Sequence, residues 1–181
     1  MEMDVAMPMF NLGFKCEPGG SGEAAIRQEM IGDLAAEALF GESSQLYLRV
    51  YEDGLIDSSF GGGVEPIAGM AMLLCSGDSY EAERIRDALL EQAKRIVREG
   101  IPEDAFLRMK RSAFGRRIRD LDSFDSTCFR LCSYHLSGFD YFDFPAPYST
   151  VEASEIQEFL HRVVQTNRCS KSLINPIKED A

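Results

Sequence analysis

Two cysteines and a histidine have the spacing of metal ligands on one face of a helix. Cys128, Cys132 and His135 stand at positions i, i+4 and i+7 of a segment with helical periodicity. Thiolate and imidazole both bind zinc, and a structural zinc site has four such ligands. The fourth ligand would have to come from a distant part of the chain: Cys16, Cys75, Cys169 or His161.

The same segment has a simpler interpretation. Cysteine also behaves as a small apolar residue and is often buried. Cys128 and Cys132 are accompanied by Phe129, Leu131 and Leu136, so the alternative is a helix that packs both thiols into the core. We favour this interpretation, in which the chain has no metal site and no catalytic residue of its own.

Neither histidine belongs to a catalytic zinc motif. His135 and His161 are the only two in the chain. The motifs H-E-x-x-H and H-x-x-E-H both need two histidines on one helical face with a glutamate beside them. Glu158 and His161 share a face at i, i+3, which is typical of an ordinary surface pair. No G-x-S-x-G serine nucleophile occurs either, so the sequence predicts no hydrolytic centre in this chain.

Two glycine clusters occupy positions where a backbone can contact a ligand. Residues 19–22 lie between a predicted strand and a predicted helix but lack the lysine and hydroxyl residue of a P-loop, so we interpret them as a flexible turn. Residues 61–63 follow Phe60 in a predicted strand, where glycine marks a bulge or the close approach of another backbone. The second alternative is compatible with a peptide that lies along this strand.

A basic cluster marks one of the later helices. Its side chains spread around most of the helix, which is typical of a solvated helix with local ion pairs. The alternative is a docking surface for an acidic partner. The cluster comprises Arg108, Lys110, Arg111, Arg116, Arg117 and Arg119.

Composition and charge limit the classes of partner and the compartment. The chain has 181 residues, 45% of them hydrophobic, and a formal net charge of −11. This charge excludes non-specific nucleic-acid binding and argues against docking on anionic membranes. The longest apolar run, residues 67–75, is too short to cross a membrane. An odd number of cysteines, no C-x-x-C pair and an acidic start to the chain predict a cytoplasmic protein.

Hydrophobic periodicity predicts a mixture of strands and helices. Phe10, Leu12 and Phe14 alternate with polar residues or glycine, which predicts a half-buried strand. Residues 67–75 are apolar on both faces, which predicts a central strand covered on both sides. Other strands are predicted at 57–64 and 172–174, and helices at 23–40, 44–54, 78–100, 102–120, 123–136 and 154–164.

Local details complete this prediction. Asp78 with Glu81, and Ser154 with Gln157, have the spacing of capping boxes at two helix starts. Phe106, Met109, Ala113 and Ile118 continue the basic helix toward Asp120.

The order of elements is β-α-α-β-β-α-α-α-α-β. Strands that follow one another directly can pair antiparallel, and amphipathic helices need a sheet face to cover. The sequence therefore predicts the α+β class: a two-layer sandwich with a mainly antiparallel sheet and helices packed on one face. It shows no internal repeat and no domain boundary, so we expect a single domain, 1–181.

Three blocks of sequence resemble a known family. Residues 39–60 contain L-F-G-E-S-S-Q-L-Y and Y-E-D-G-L-I-D-S-S-F, and residues 100–110 read G-I-P-E-D-A-F-L-R-M-K. These blocks are similar to the non-catalytic half-domain of the insulinase/pitrilysin zinc peptidases, to which the mitochondrial processing peptidases also belong. Residues 154–164 resemble its final helix. The likeness runs from about residue 10 to residue 176 and is greatest to the bacterial cytoplasmic branch.

This resemblance implies a processing-peptidase-like half-domain. In active members the first half carries H-x-x-E-H and binds zinc, whereas the second half closes the chamber and helps to hold an extended peptide against a strand edge. Because this chain lacks H-x-x-E-H, it resembles the second half, and zinc is expected in a catalytic partner half, fused or separate. The arginine and tyrosine that often contact substrate would fall at Val50 and Asp57, so the resemblance assigns no substrate-binding residue.

We therefore predict a non-catalytic, C-terminal-type domain of an insulinase-like zinc metallopeptidase, inactive alone, with a structural and peptide-docking role. One alternative is a stand-alone inactive homologue that acts as a regulatory or partner subunit. Another is a structural-zinc protein that uses its cysteines and histidine. An isolated half-domain exposes the apolar face meant for its partner, so a homodimer is one expected consequence.

Overall fold

The computed structural model describes residues 1–17, 19–67 and 70–177. Its strands are β1 (Glu2–Met3), β2 (Met9–Cys16), β3 (Gly61–Ile67), β4 (Met70–Asp78) and β5 (Cys169–Pro176). Its helices are α1 (Gly22–Phe40), α2 (Gln45–Glu52), α3 (Ala82–Glu99), α4 (Glu103–Arg119), α5 (Phe124–Leu136), α6 (Pro145–Ser149) and α7 (Ala153–Val163). None of the helices in this described part combines the length and the apolar character needed to span a bilayer.

The strands form one sheet in the order β1-β5-β2-β4-β3. β2 pairs antiparallel with both β4 and β5, β3 pairs antiparallel with β4, and the short β1 is parallel to β5. The predicted α+β class and mainly antiparallel sheet are thus confirmed. The alternation predicted for β2 is also confirmed, since Phe10, Leu12 and Phe14 are all buried.

β4 differs from the predicted strand in its position and its covering. It begins at Met70, and residues 68–69 of the predicted run lie outside the described residues. Only one face is buried, through Leu73 and Cys75, so the prediction of a strand covered on both sides is wrong. Met72 and Leu74 on the other face are half-buried because they lie over Gly13 of β2, where an added Cβ would come within 2.6 Å of the Met72 Cε atom.

The core lies between the sheet and the helices. α1 contributes Met30, Leu34 and Leu39, each fully buried, and α3 and α7 pack their apolar faces beside it. Gly32 of α1 lies directly under the sheet, because a Cβ there would approach Val64 of β3 to 2.7 Å. This close approach brings α1 against the edge strand β3.

Both predicted capping boxes are wrong. Asp78 is the last residue of β4, and the helix start is organised by Ser79, whose Oγ accepts a hydrogen bond of 3.0 Å from the Glu81 backbone N–H. At α7 the capping box is made by Glu152 and Glu155. A cap is set by where the preceding segment ends, and spacing in the sequence does not determine that point.

Burial in the last turn of α4 does not follow hydrophobicity. The Ile118 side chain is 45% exposed, and its neighbour Arg117 is buried in its place. The reason is that α4 packs near α1, where Glu29 and Asp33 accept hydrogen bonds from the Arg117 guanidinium. A buried guanidinium with ionic partners is tolerated where an unpaired one would not be.

Candidate functional site

Cys128, Cys132 and His135 lie on the outer face of α5 and are all exposed. The preferred interpretation, that this helix packs its thiols into the core, is therefore wrong. Within residues 1–17, 19–67 and 70–177, no three His, Cys, Asp or Glu side chains come together as metal ligands. The distant candidates do not join them, since Cys16 and Cys75 are buried in the sheet.

The phase of α5 is set by a tyrosine. Tyr134 is the buried residue of this helix. Its hydroxyl donates a hydrogen bond of 2.7 Å to Glu29 Oε1 and accepts one of 2.8 Å from Arg117 Nη1. Turning Tyr134 inward turns the two thiols outward, because they stand on the opposite side of the helix.

The two positions that the family resemblance marks for substrate contact have structural roles in this chain. Val50 is buried in the core, with 1% of its surface exposed. Asp57 is exposed, and its carboxylate accepts a hydrogen bond of 2.8 Å from the Ser59 N–H. Hydrogen bonds from Ser59 lower the pKa of Asp57. Its carboxylate therefore organises the turn before β3.

The remaining histidine and the first glycine cluster have ordinary surroundings. His161 is exposed on α7, and the nearby Glu158 lies 3.9 Å from Arg162. Gly20 and Gly22 have φ values of 79° and 61°, so the segment before α1 is a turn that favours glycine.

The second glycine cluster forms an edge of the sheet. β3 is the last strand in the sheet order and pairs with β4 on one side. Gly62 is required by packing, because a Cβ there would lie 2.1 Å from the Leu74 carbonyl oxygen. An added Cβ at Gly61 or Gly63 meets nothing within 4 Å. Packing thus accounts for one glycine, and the other two leave the strand free of bulky side chains.

A trough runs beside this edge. It consists of two grooves of about 730 and 840 Å³ that share Asp33, Asp120 and Arg130 in their lining. β3 forms one wall, α1 supplies Ala36 and Phe40, and α4 with α5 forms the other wall. We call this feature the β3 trough.

A buried arginine lies at the centre of the β3 trough. Arg117 is 5% exposed, and its Nη2 atom lies 2.9 Å from Glu29 Oε1 and 2.7 Å from Asp33 Oδ2. Burial alone would lower the pKa of Arg117, but Tyr134, Asp33 and Glu29 more than offset this effect and raise it. Burial raises the pKa of Tyr134, so its hydroxyl stays protonated and donates to Glu29. The cluster joins α1, α4 and α5 through the hydrogen bonds of a guanidinium that stays charged.

Two further arginines of the trough are paired as well. Arg116 lies 2.9 Å from Glu37, and Arg130 lies 2.8 Å from Asp120. The predicted local ion pair occurs at Arg108, which pairs with Asp104 one turn earlier in α4, whereas Arg116 pairs with a carboxylate of α1 and Arg117 is buried.

The trough carries an excess of negative charge. Seven carboxylates and four guanidinium groups line it. The carboxylates are Glu29, Asp33, Glu37, Glu42, Glu65, Asp120 and Asp125, and the guanidinium groups are Arg116, Arg117, Arg119 and Arg130. An edge strand beside a groove has the geometry for adding an extended peptide as a further strand. The arrangement is suited to binding.

Comparison with known proteins agrees with this architecture. The family model described as the peptidase M16 inactive domain matches residues 1–113. The uncharacterized zinc protease YmfH of Bacillus subtilis is 24% identical over 181 residues, which cover 97% of this chain and 41% of YmfH. The chain thus spans about two fifths of the length of this relative.

Solved structures share the fold. A protein from Alicyclobacillus acidocaldarius described as an M16-like peptidase has a TM-score of 0.88 at 22% identity, over 98% of this chain and 43% of that one. The peptidase M16 inactive domain from Pseudomonas fluorescens has a TM-score of 0.70 at 12% identity, over 100% of this chain and 44% of that one. The family model covers well over half of the chain and confirms the resemblance seen in the sequence. The chain therefore belongs to the family of M16 peptidase inactive domains.

Proposed function

We propose that residues 1–181 form a single non-catalytic, C-terminal-type domain that works beside a catalytic half of a zinc metallopeptidase. The observation that carries the proposal is the match to the M16 inactive domain in a chain without H-x-x-E-H. The catalytic half, fused or separate, supplies this motif and the zinc ion. The length of YmfH, of which this chain spans 41%, leaves room for such a half. The five free cysteines support a cytoplasmic location.

The role proposed for this domain is to hold an extended peptide along β3. An edge strand offers backbone N–H and C=O groups that a peptide can pair with, and these bonds are independent of the peptide sequence. Gly61 and Gly63 support this role, because they keep the open sheet face beside the edge clear of side chains.

The charge of the trough supports a preference for basic peptides. Glu42 and Glu65 line it, and within the described residues neither makes an ion pair. A lysine or arginine side chain of the peptide can neutralise them. Because such contacts are partly exposed to solvent, they contribute modestly and weaken as salt is added.

Peptide binding to the 181-residue chain tests the docking role. We expect an unstructured lysine-rich peptide to bind about tenfold more tightly than its glutamate-rich counterpart at low salt. Hydrogen exchange should slow at backbone amides of residues 61–65 when the peptide is present. Protection confined to other elements would contradict docking on β3.

A charge-matched pair of variants locates the preference. Glu65→Lys places a positive charge in the trough and should reduce the preference for the basic peptide. Glu91→Lys makes the same change on the exposed face of α3, away from the trough, and should leave the preference almost unchanged. Equal effects of the two variants would show that net charge alone selects the peptide.

A hydrolysis assay tests the non-catalytic role. The chain with added zinc should leave unstructured peptides intact, and cleavage should require a half that carries H-x-x-E-H. Chelator-sensitive turnover by the 181-residue chain at enzyme-like rates would refute the proposal. The open reading frame provides a second check, because it should encode that motif upstream or in a neighbouring gene.

A further inference from the structure

The outer face of α5 is an exposed apolar strip. Phe124, Phe129 and Leu136 are 81%, 74% and 85% exposed, and the exposed Cys128 and Cys132 lie between them. Single exposed apolar residues are common, but a continuous strip of this kind marks a binding surface. The residues on this strip, which we call the α5 strip, are Phe124, Asp125, Cys128, Phe129, Cys132, His135 and Leu136, of which Asp125 and Phe129 stand at its border with the β3 trough.

The α5 strip is complementary to itself. Two copies of α5 can pack antiparallel about a two-fold axis near the middle of the helix. Each residue then faces the residue of the second copy for which the two residue numbers add up to about 260. Phe124 then faces Leu136 of the second copy, and Cys128 faces Cys132 of the second copy. Apolar side chains meet at both ends, and thiols meet in the middle.

The polar groups of the strip are also complementary in this arrangement. Asp125 faces His135 of the second copy, and His135 faces Asp125 of the second copy. A carboxylate therefore meets an imidazole at two symmetric positions. A parallel arrangement would set each of these groups against its own copy and lose this pairing.

Side-chain sizes also suit the antiparallel arrangement. Helices that cross come closest in the middle and diverge toward their ends. Cys128 and Cys132 are small and stand near the middle, which allows close approach. Phe124 and Leu136 are large and stand at the ends, where there is more space to fill.

We propose that the α5 strip is a two-fold interface between two copies of this chain. Complementary side-chain size and the pairing of a carboxylate with an imidazole select a second copy as its occupant. One face of a 13-residue helix is smaller than the roughly 800 Å² per partner of a standard interface. The net charge of −11 on each copy also opposes association. The dimer is therefore weak, with a dissociation constant above about 10 µM, and it tightens as salt is added.

Disulfide trapping tests the register. Diamide takes up the two thiol hydrogens as one Cys128–Cys132 bond forms between copies, and it is reduced to the hydrazine. The experiment uses a Cys169→Ser background, because Cys169 is half-buried. We expect this parent chain to form a covalent dimer at concentrations where the dimer is populated.

Single-cysteine variants make the test specific. Cys128→Ser alone and Cys132→Ser alone should each lose at least about nine tenths of the cross-linking, because each bond needs one cysteine of each kind. A mixture of the two variants should recover it, with one bond per dimer. Efficient cross-linking of either variant alone, or no recovery in the mixture, would overturn the proposed register.

Sedimentation provides a measurement that does not depend on disulfides. Leu136→Asp should shift the reduced chain to monomer, whereas Leu48→Asp, at a 51% exposed position on α2, should not. Exchanging the two polar residues by Asp125→His with His135→Asp should retain the dimer, and Asp125→Arg alone should weaken it. A chain that stays monomeric at about 1 mM, or a dimer that Leu136→Asp leaves intact, would refute the interface.

Discussion

Helices α3 and α5 use their apolar residues in opposite ways. Half of the 18 residues of α3 are charged, yet its apolar residues fall on one stripe and are buried, with Ile85 and Leu89 fully enclosed. α5 has only two charged residues in 13, Asp125 and Arg130, yet most of its large apolar side chains point outward. The apolar content of a helix therefore does not decide which of its residues are buried. The contacts that the helix makes with the rest of the fold decide it.

The two helices are also attached by different forces. α3 is held by apolar area, which contributes about 25 cal/mol for each Å² removed from water. α5 is held by Tyr134 and its hydrogen bonds to Glu29 and Arg117. Such bonds are directional and contribute about 1 kcal/mol each, so they orient a helix more than they stabilise it.

Cysteine reactivity should show the largest contrast between core and periphery. Cys128 and Cys132 are exposed on α5, whereas Cys75 is buried in β4, and burial raises its pKa to about 12. The reactive form is the thiolate. We therefore expect Cys75 to react at least about 1,000-fold more slowly than Cys128 and Cys132, and only when the fold opens. Mass spectrometry of the native chain during alkylation measures this. Comparable rates at all three sites would contradict the assigned burial.

Truncating one leucine in each helix should separate the two kinds of attachment. Leu89→Ala leaves a cavity in the core and should lower the free energy of unfolding by about 2–5 kcal/mol. Leu136→Ala removes an 85% exposed side chain and should change it by less than about 0.5 kcal/mol in the monomer. Urea denaturation at low protein concentration measures both. A similar loss for the two variants would mean that α5 also belongs to the core.

Removing the Arg117 guanidinium, which connects α5 to α1 and α4, should have an intermediate effect on the free energy of unfolding. Arg117→Ala leaves Glu29 and Asp33 facing each other and leaves Tyr134 with one bond fewer. Breaking a fully buried pair costs about 3–5 kcal/mol. Both carboxylates are more than a third exposed, so we expect about 2 kcal/mol, measured by urea denaturation. Hydrogen exchange should quicken mainly in α5, and unchanged exchange there would show that Arg117 does not hold that helix.

Two helix caps provide the smallest contrast. Ser44 Oγ accepts from the Tyr47 N–H at 3.0 Å, and Ser123 Oγ accepts from the Ser126 N–H at 3.3 Å. Ser44→Ala should cost about 1 kcal/mol in global stability, because the cap of α2 is buried in the fold. Ser123→Ala should cost less globally and should mainly increase fraying of α5. A larger global loss for Ser123→Ala than for Ser44→Ala would reverse the comparison.

The sequence predicted the elements that have a regular local pattern, and it did not predict the features that depend on contacts between distant segments. The strict alternation of β2 predicted which of its residues are buried, and helical periodicity predicted the position of α3, because both patterns are local signals. For the glycines of β3 the sequence left two alternatives, a bulge or the close approach of another backbone, and Gly62 shows a close approach of the β4 backbone. The trough was not predicted, because its walls come from β3, α1, α4 and α5, which lie far apart in the chain.

The burial of Arg117 and the orientation of α5 escaped prediction for a related reason. Apolar neighbours on α5 indicated the thiols as buried, and no pattern on α4 indicated the burial of Arg117. Arg117 instead finds carboxylates 84 and 88 residues away along the chain, and Tyr134 finds one 105 residues away. No local pattern in the sequence indicates such partners. These pairings bury a polar side chain where its apolar neighbour would usually be buried.

The sequence by itself determined the α+β class, the family resemblance and the lack of a catalytic zinc motif in this chain. These depend on residue type, local period and motif spacing. Only the tertiary structure decided that β3 is an edge strand beside an acidic trough, that Arg117 joins three helices and that α5 exposes an apolar strip. Those features depend on contacts between groups that lie far apart in the chain. Packing and charge pairing in three dimensions determine the energies of these contacts.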